Sequence, residues 1–198
     1  MHHAVIFAHP NRDSFTASAA HAYRDAVRTL GHEVIVRDLY GMGFDPLLKI
    51  DELPFSRDFH PADDVVAERA LLNSCGAFAF VYPFWLNSPP AMMKGYIERV
   101  FGFGFAYGGE GHSYNPLLSG RKFLSFTSSG APTTWVRQTG ALDAMQMLFD
   151  AQFGQLTGMT LLAHVHAGGV TPNASEFFIK ARLADIAKTA ITHFGGHP

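Results

Sequence analysis

Apolar positions along this chain fall into two alternating rhythms. Residues 4–8 (AVIFA), 34–36 (VIV), 77–82 (AFAFVY), 122–127 (KFLSFT) and 159–165 (MTLLAHV) have the length and β-rich content of buried strands. Between them, apolar residues recur every three to four positions, the spacing of one helix face. One such set is Ala20, Tyr23, Val27 and Leu30; a second is Met93, Tyr96, Ile97, Val100 and Phe101. Two more follow, at Leu142, Met145, Phe149, Phe153 and Leu156, and at Leu183, Ile186, Ala187, Ala190, Ile191 and Phe194. A modest helix is expected over residues 62–74, capped by Asp63 or Asp64. Gly31 reads as the residue that closes the first helix, and Ser88 with Pro89 as the cap and first position of the one through Met93. Strands alternating with helices predict an α/β doubly wound fold. Its five parallel strands take the order 2-1-3-4-5, with helices on both faces, in a single domain over residues 1–198.

The connections carry the candidate chemistry. Residues 9–16 (HPNRDSFT) lie between a strand and a helix N-terminus, where free amides and the helix dipole favour an anion. His9, Ser14 and Thr16 offer hydrogen bonds to a phosphate; helix capping by Asp13 or Ser14 accounts for the same residues. Phe84, Trp85 and Leu86 stand between Pro83 and Pro89–Pro90 on a stiffened loop that ends at Asn87. That loop reads as a seat for a planar heterocycle, as a packed loop, or as a subunit contact. Thr127, Ser128, Ser129 and Gly130 open a small-residue loop that runs to Trp135, suited to close approach of backbone amides to a ligand or to a plain polar turn. In the expected strand order, strands 1, 3 and 4 are neighbours, so these loops converge on one crevice at the carboxyl ends of the strands. A phosphate end, a flat ring and a polar ring edge together describe a flavin nucleotide. Residues 38–61, with some helix near Asp51, and glycine-rich residues 102–120 are long enough to cover a site.

Composition narrows the function classes. The chain has 198 residues, 47% of them apolar and 16% charged, enough for a sizeable core. A net charge of −2 without a dense basic run argues against nucleic-acid binding. The single cysteine, Cys75, excludes an internal disulfide and fits a reducing compartment. No secretory signal or spanning segment is evident, so a cytoplasmic protein that is not integral to a membrane is expected. His164 and His166 would share one strand face, but no third ligand stands nearby and no metal is expected. Eighteen Phe, six Tyr and two Trp are hard to bury in one subunit of this size and suggest an interface or a flat ligand.

The residues resemble the NAD(P)H:quinone oxidoreductases, the DT-diaphorase family of flavodoxin-like flavoproteins, which implies a flavodoxin-like fold. His9 with Ser14, Phe15 and Thr16 resembles the family's phosphate loop; Asp38-Leu39-Tyr40 followed by Phe44-Asp45-Pro46 matches a second segment. Pro83, Phe84, Trp85 and Leu86, then Pro90-Ala91, Lys94-Gly95 and Glu98-Arg99-Val100-Phe101, follow its most specific motif. Phe105-Ala106-Tyr107 and the Thr127-Ser128-Ser129-Gly130 loop complete the likeness, which runs to about Arg182. The resemblance implies a homodimer with FAD, or alternatively FMN, in each crevice and NAD(P)H as co-substrate. It implies flavin contacts from residues 83–86 and 127–130, and a substrate pocket lined by Phe105 and Tyr107 that reaches the partner subunit's flavin. It implies ping-pong hydride transfer through flavin N5 to a quinone. Trp135 stands where the family can carry a tyrosine, and no histidine lies between Trp135 and His164, so no side chain is assigned as catalytic acid or base. Arg182 is the candidate for the distal half of FAD. The alternatives are an azo- or nitro-reductase of the same fold, an ancillary flavoprotein of a potassium-efflux system, and a flavodoxin-type electron carrier.

Overall fold

The computed structural model describes residues 1–109 and 114–196. In chain order its elements are β1 (His2–Phe7), α1 (Phe15–Thr29), β2 (Glu33–Asp38), a 3-10 turn (Ile50–Glu52), α2 (Asp63–Leu72), β3 (Ala77–Pro83) and α3 (Ala91–Val100). Then follow β4 (Tyr107–Gly108), β5 (Asn115–Pro116), β6 (Lys122–Ser129), α4 (Thr133–Gln138), α5 (Ala141–Met145), a π-helical turn (Gln146–Ala151), α6 (Gln152–Thr157), β7 (Thr160–Gly168) and α7 (Glu176–Phe194). The main sheet has the order β2-β1-β3-β6-β7 with every pairing parallel, the expected 2-1-3-4-5. β4 and β5 form a short antiparallel ribbon beside it. The glycine-rich stretch 102–120 lies partly outside the described residues.

Period-two alternation divides the core. Ile6, Phe78, Phe80, Tyr82 and Phe123 face Leu72 of α2, Met93, Tyr96 and Val100 of α3, and Leu142, Phe149 and Phe153 of the α5–α6 region. Val5, Phe7, Val81, Leu124 and Phe126 face Ala20, Tyr23 and Val27 of α1 and Ile186 and Ala190 of α7. β3 is buried along its whole length, which is why it reads as an unbroken apolar run. Each fully buried phenylalanine there contributes about 2–3 kcal/mol of apolar burial.

Three local features depart from the pattern. α3 begins at Ala91, with Pro90 as a cap that makes no side-chain bond, so Ser88 and Pro89 are not its start. A proline disfavours helical geometry in the residue before it, and Pro90 therefore keeps Pro89 out of the helix. The Ser88 amide instead closes a turn onto the Trp85 carbonyl at 3.0 Å. α2 is preceded by Ala62 without a side-chain cap, because Asp64 is engaged by Arg99 at 2.8 Å. The apolar stretch 142–156 is helical throughout, as expected, but its middle widens into the π-helical turn that joins α5 to α6, and the short α4 precedes it. β7 also carries an irregularity. Phe123 pairs with Leu161 but Leu124 pairs with Ala163, so one residue is skipped and every later pair is shifted. The shift sets His164 beside Ser125 and His166 beside Thr127.

Candidate functional site

Three strand ends build a crevice. After β1 the chain turns through His9, whose Nδ1 lies 3.0 Å from the Asn11 amide nitrogen and 3.1 Å from the Asn11 carbonyl oxygen. Ser14 caps α1, its hydroxyl oxygen accepting the Ala17 amide at 3.2 Å. The amides of Phe15 and Thr16 start the helix without intrahelical partners, and both residues line the crevice. At the end of β3 the Phe84 amide donates to the Ser128 carbonyl at 2.6 Å, which locks this tip to that of β6. Phe84 is buried, its ring edge-on to His166 at 5.6 Å, while Trp85 is 44% exposed and tilted toward the His9 ring at 5.4 Å. Leu86 and Asn87 complete the turn with φ of 49° and 57°, a left-handed conformation that few non-glycine residues hold outside functional loops.

The third wall is Ser128, Ser129 and Gly130, stitched to the end of β7. The Val170 amide donates to the Ser129 carbonyl and that of Gly169 to the Ala131 carbonyl, both at 2.9 Å; the Gly168 amide donates to Thr133 Oγ1 at 3.0 Å. The contact is close enough that a Cβ on Gly168 would lie 2.2 Å from the Thr133 nitrogen. The crevice encloses about 150 Å³ and is lined by His9, Phe15, Thr16, Pro83, Phe84, Trp85, Ser128, Ser129, Gly130 and Val170. Val170 carried no signal in the sequence beyond its place after β7.

Other expected site residues stand elsewhere. Ser14 is occupied as a cap, Leu86 and Asn87 stand on the exposed turn, and Trp135 is half exposed on α4. Thr127 lies beneath the floor, hydrogen-bonded to His164 and His166. Arg182 sits on α7, paired with Asp185 at 3.2 Å and stacked over Phe178; its Nε is buried with no hydrogen-bond partner among the described residues. Tyr107 lines a second, larger apolar cavity of about 440 Å³, open to solvent, with Phe101, Phe103, Phe149, Phe153 and Leu156. That cavity shares no lining residue with the crevice. Phe105 packs on Phe101 and under the Arg69 guanidinium, which is held by the Arg99, Val100 and Phe103 carbonyls.

The histidines of β7 have found hydroxyls and a carboxylate. Burial, then the neighbouring His164 and Arg137, push His166 down to about 4, so its ring is neutral. Asp150 of the π-helical turn is fully buried against His164 and Ser125. Sequence reasoning missed Asp150; the available signal was the row of polar residues at alternate positions in otherwise apolar strands, Ser125, Thr127 and Ser129 in one and His164 and His166 in the other. Among the described residues no group of three or more His, Cys, Asp or Glu side chains is placed to hold a metal ion, and no helix is long and apolar enough to cross a membrane.

The site's residues suit a flavin. Free amides at the α1 N-terminus fit a phosphate, Trp85 offers a half-exposed flat face, and Gly130 leaves open backbone, where an added Cβ would meet nothing nearer than the Val170 carbonyl at 3.9 Å.

Known proteins resemble this chain in sequence and in fold. The profile of a family described as having a flavodoxin-like fold matches residues 1–190. An uncharacterized NAD(P)H oxidoreductase of Haemophilus influenzae is 33% identical over 141 residues, covering 71% of this chain and 70% of that protein. NAD(P)H dehydrogenase (quinone) 1 of Rattus norvegicus is 29% identical over 170 residues, 77% of this chain, and the match spans 62% of the rat protein's length. The solved structure of an NAD(P)H:quinone oxidoreductase from Methanothermobacter marburgensis superposes with a TM-score of 0.85 at 25% identity, over 100% of this chain and 99% of that one.

Proposed function

The chain belongs to the flavodoxin-like fold family, and from that membership we propose that it is a flavin-dependent NAD(P)H:quinone oxidoreductase acting as a homodimer. The observation that carries this reading is the convergence of three strand-end loops on one crevice: helix amides at one wall, Trp85 at the second and small hydroxyl residues at the third. The names of the relatives supply the substrate class. A bound flavin would supply two-electron hydride transfer through its N5 atom. The chain's own residues bind and orient: Phe15 and Thr16 amides hold the phosphate end, and Trp85 covers the ring. Pro83, Phe84, Ser128, Ser129 and Gly130 shape the polar edge. In the net reaction NAD(P)H yields a hydride, and the quinone takes that hydride and one further proton to become a hydroquinone. Of the two flavins we favour FAD, with Arg182 of α7, whose Nε has no hydrogen-bond partner among the described residues, as the candidate for its distal half.

Tyr107 supports the homodimer reading: it lines a cavity that shares no residue with the crevice of its own chain, as it would if a second copy presented it to a crevice. The expected result is a yellow preparation that oxidises NADH or NADPH with menadione as acceptor and releases FAD on denaturation. Trp85→Ala should raise the flavin dissociation constant about tenfold, near 1.4 kcal/mol. A preparation that stays colourless with both FAD and FMN would remove the reading; tight flavin retention in the variant would remove Trp85 from the site.

A further inference from the structure

His166 of β7 touches two walls of the crevice without lining it. Its Nε2 lies 2.9 Å from Ser129 Oγ and its Nδ1 2.9 Å from Thr127 Oγ1, both on β6. The same ring meets that of Phe84, at the end of β3, edge-on at 5.6 Å. Phe84 and Ser129 line the crevice, whereas Thr127 and His166 do not. We propose that His166 is a positioning residue for the flavin: it fixes the hydroxyl of Ser129 and so holds the small-residue wall in the shape that receives the ring edge. This role rests on the flavin reading of the crevice.

The irregularity in β7 is what brings this imidazole to the wall. Phe123 pairs with Leu161 and Leu124 with Ala163, so Thr127 stands beside His166. With an unbroken register Val165 would take that place, and His166 would point to the opposite face of the sheet. A valine there could pack against Phe84 but could bond to neither hydroxyl. The skipped residue therefore exchanges a plain packing side chain for one that grips Ser129.

Burial, then His164 and Arg137, pushes His166 down to about 4, so its ring is neutral near pH 7. A neutral imidazole has one donor and one acceptor nitrogen, and a hydroxyl can meet either, so the grip on Ser129 does not depend on the tautomer. Ser129 is also held elsewhere: its hydroxyl contacts the Ala131 carbonyl at 2.8 Å, and its own carbonyl takes the Val170 amide at 2.9 Å. An unconstrained serine side chain samples three staggered wells. Set between His166 Nε2 and the Ala131 carbonyl, this one is confined to a single well. The Phe84 amide, bonded to the Ser128 carbonyl at 2.6 Å, ties the backbones of the same two strand ends. That backbone tie sets where the walls stand, and His166 sets how the side chain on one of them points. A wall ordered before the ligand arrives spares binding that ordering cost.

Three substitutions separate the contacts. His166→Gln sets an amide where Nε2 stands and keeps the Ser129 contact. His166→Asn reaches only the Nδ1 position and keeps Thr127, and His166→Phe keeps a ring against Phe84 but neither bond. Titrations with FAD and with FMN, followed by quenching of flavin fluorescence, should show dissociation constants raised about tenfold in His166→Phe and His166→Asn, but by no more than about twofold in His166→Gln. Visible circular dichroism of the bound flavin should change in the first two and match the parent in the third. In a Ser129→Ala background, His166→Phe should add less than about twofold, because the two residues act as one unit. Parental affinity in both His166→Phe and His166→Asn, or an equal loss in His166→Gln, overturns the proposal. So does a loss of the same size that persists without the Ser129 hydroxyl, which would make the imidazole a packing residue. Should His166→Phe fail to fold, His166→Asn against His166→Gln, with His166→Asn in the Ser129→Ala background, decides the matter. A parent protein that binds neither FAD nor FMN overturns the flavin reading and this role with it, and the parent titration identifies that failure by itself.

Discussion

Two histidines make the molecule's stability depend on acid. His3 is a core residue, 1% exposed, with Nδ1 on the Tyr23 hydroxyl and Nε2 on His32, both at 2.9 Å. Burial, then His32 and the N-terminus, hold it at about 4; His166 is held at about 4 by burial, His164 and Arg137. Both rings ordinarily titrate near 6.5. Between those values the unfolded chain binds a proton at each site and the folded chain does not. Stability must therefore fall as pH drops from about 6.5 to about 4, and these two groups add no further loss below that. Near pH 5 the loss should be roughly 2 kcal/mol per pH unit, with the share of half-buried His166 discounted for solvent screening. Urea titrations at pH 7, 6 and 5 measure it, and His166→Gln should remove its own share while leaving that of His3. A flat profile over this window would mean that neither ring is neutral in the fold.

At the scale of elements, the placement of α3 decides the outer wall. Gly95 lets this helix pack directly on the segment before the 3-10 turn: a Cβ there would lie 2.1 Å from the Pro46 carbonyl oxygen and 2.6 Å from Pro46 Cβ. Arg99, one turn on, pins the same segment by donating to the Asp45 carbonyl at 2.6 Å and to Glu52 and Asp64. Burial pushes the Glu52 carboxyl up, but its bonds to Arg99 and to the Lys49 and Ala62 amides outweigh that and leave it lowered. Gly95→Ala gains about 1 kcal/mol of helix propensity. Overlap with a pinned backbone costs about 1–3 kcal/mol and wins, so the melting temperature should fall by a few degrees. A thermal scan showing an equal or higher melting temperature would place the helix further out than it stands. The sequence announced the five strands and their order, because unbroken apolar runs alternating with helix spacing admit few arrangements. It also announced the three crevice loops, since each follows a strand that the fold makes adjacent. The β7 irregularity and the π-helical turn were not legible: each is a single-residue shift with no compositional mark. Those two shifts bring Asp150, His164 and His166 together with the hydroxyls of β6, so that buried polar line emerges only in three dimensions.

For the whole molecule, the separation of Tyr107 from the crevice of its own chain makes subunit exchange informative. If each site takes Trp85 from one copy and Tyr107 from the other, a dimer mixing Trp85→Ala and Tyr107→Ala subunits holds one site with both defects and one with neither. Random reassembly of the two variants gives half mixed dimers, each with half its sites intact, so about a quarter of parental activity should return from two impaired parents. Were Tyr107 to serve its own chain, every site in a mixed dimer would keep one defect, and activity would stay at the average of the parents. Steady-state assay of the remixed proteins with limiting flavin and quinone separates the cases, because limiting flavin exposes the Trp85 defect and limiting quinone the Tyr107 defect. A sedimentation experiment shows alongside whether mixing took place. Recovered activity would establish that the enclosed site exists only between two copies. The aromatic residues left uncovered on one chain, Trp85 at 44% and Trp135 at 51% exposure, would then be surfaces waiting for a ligand or a partner.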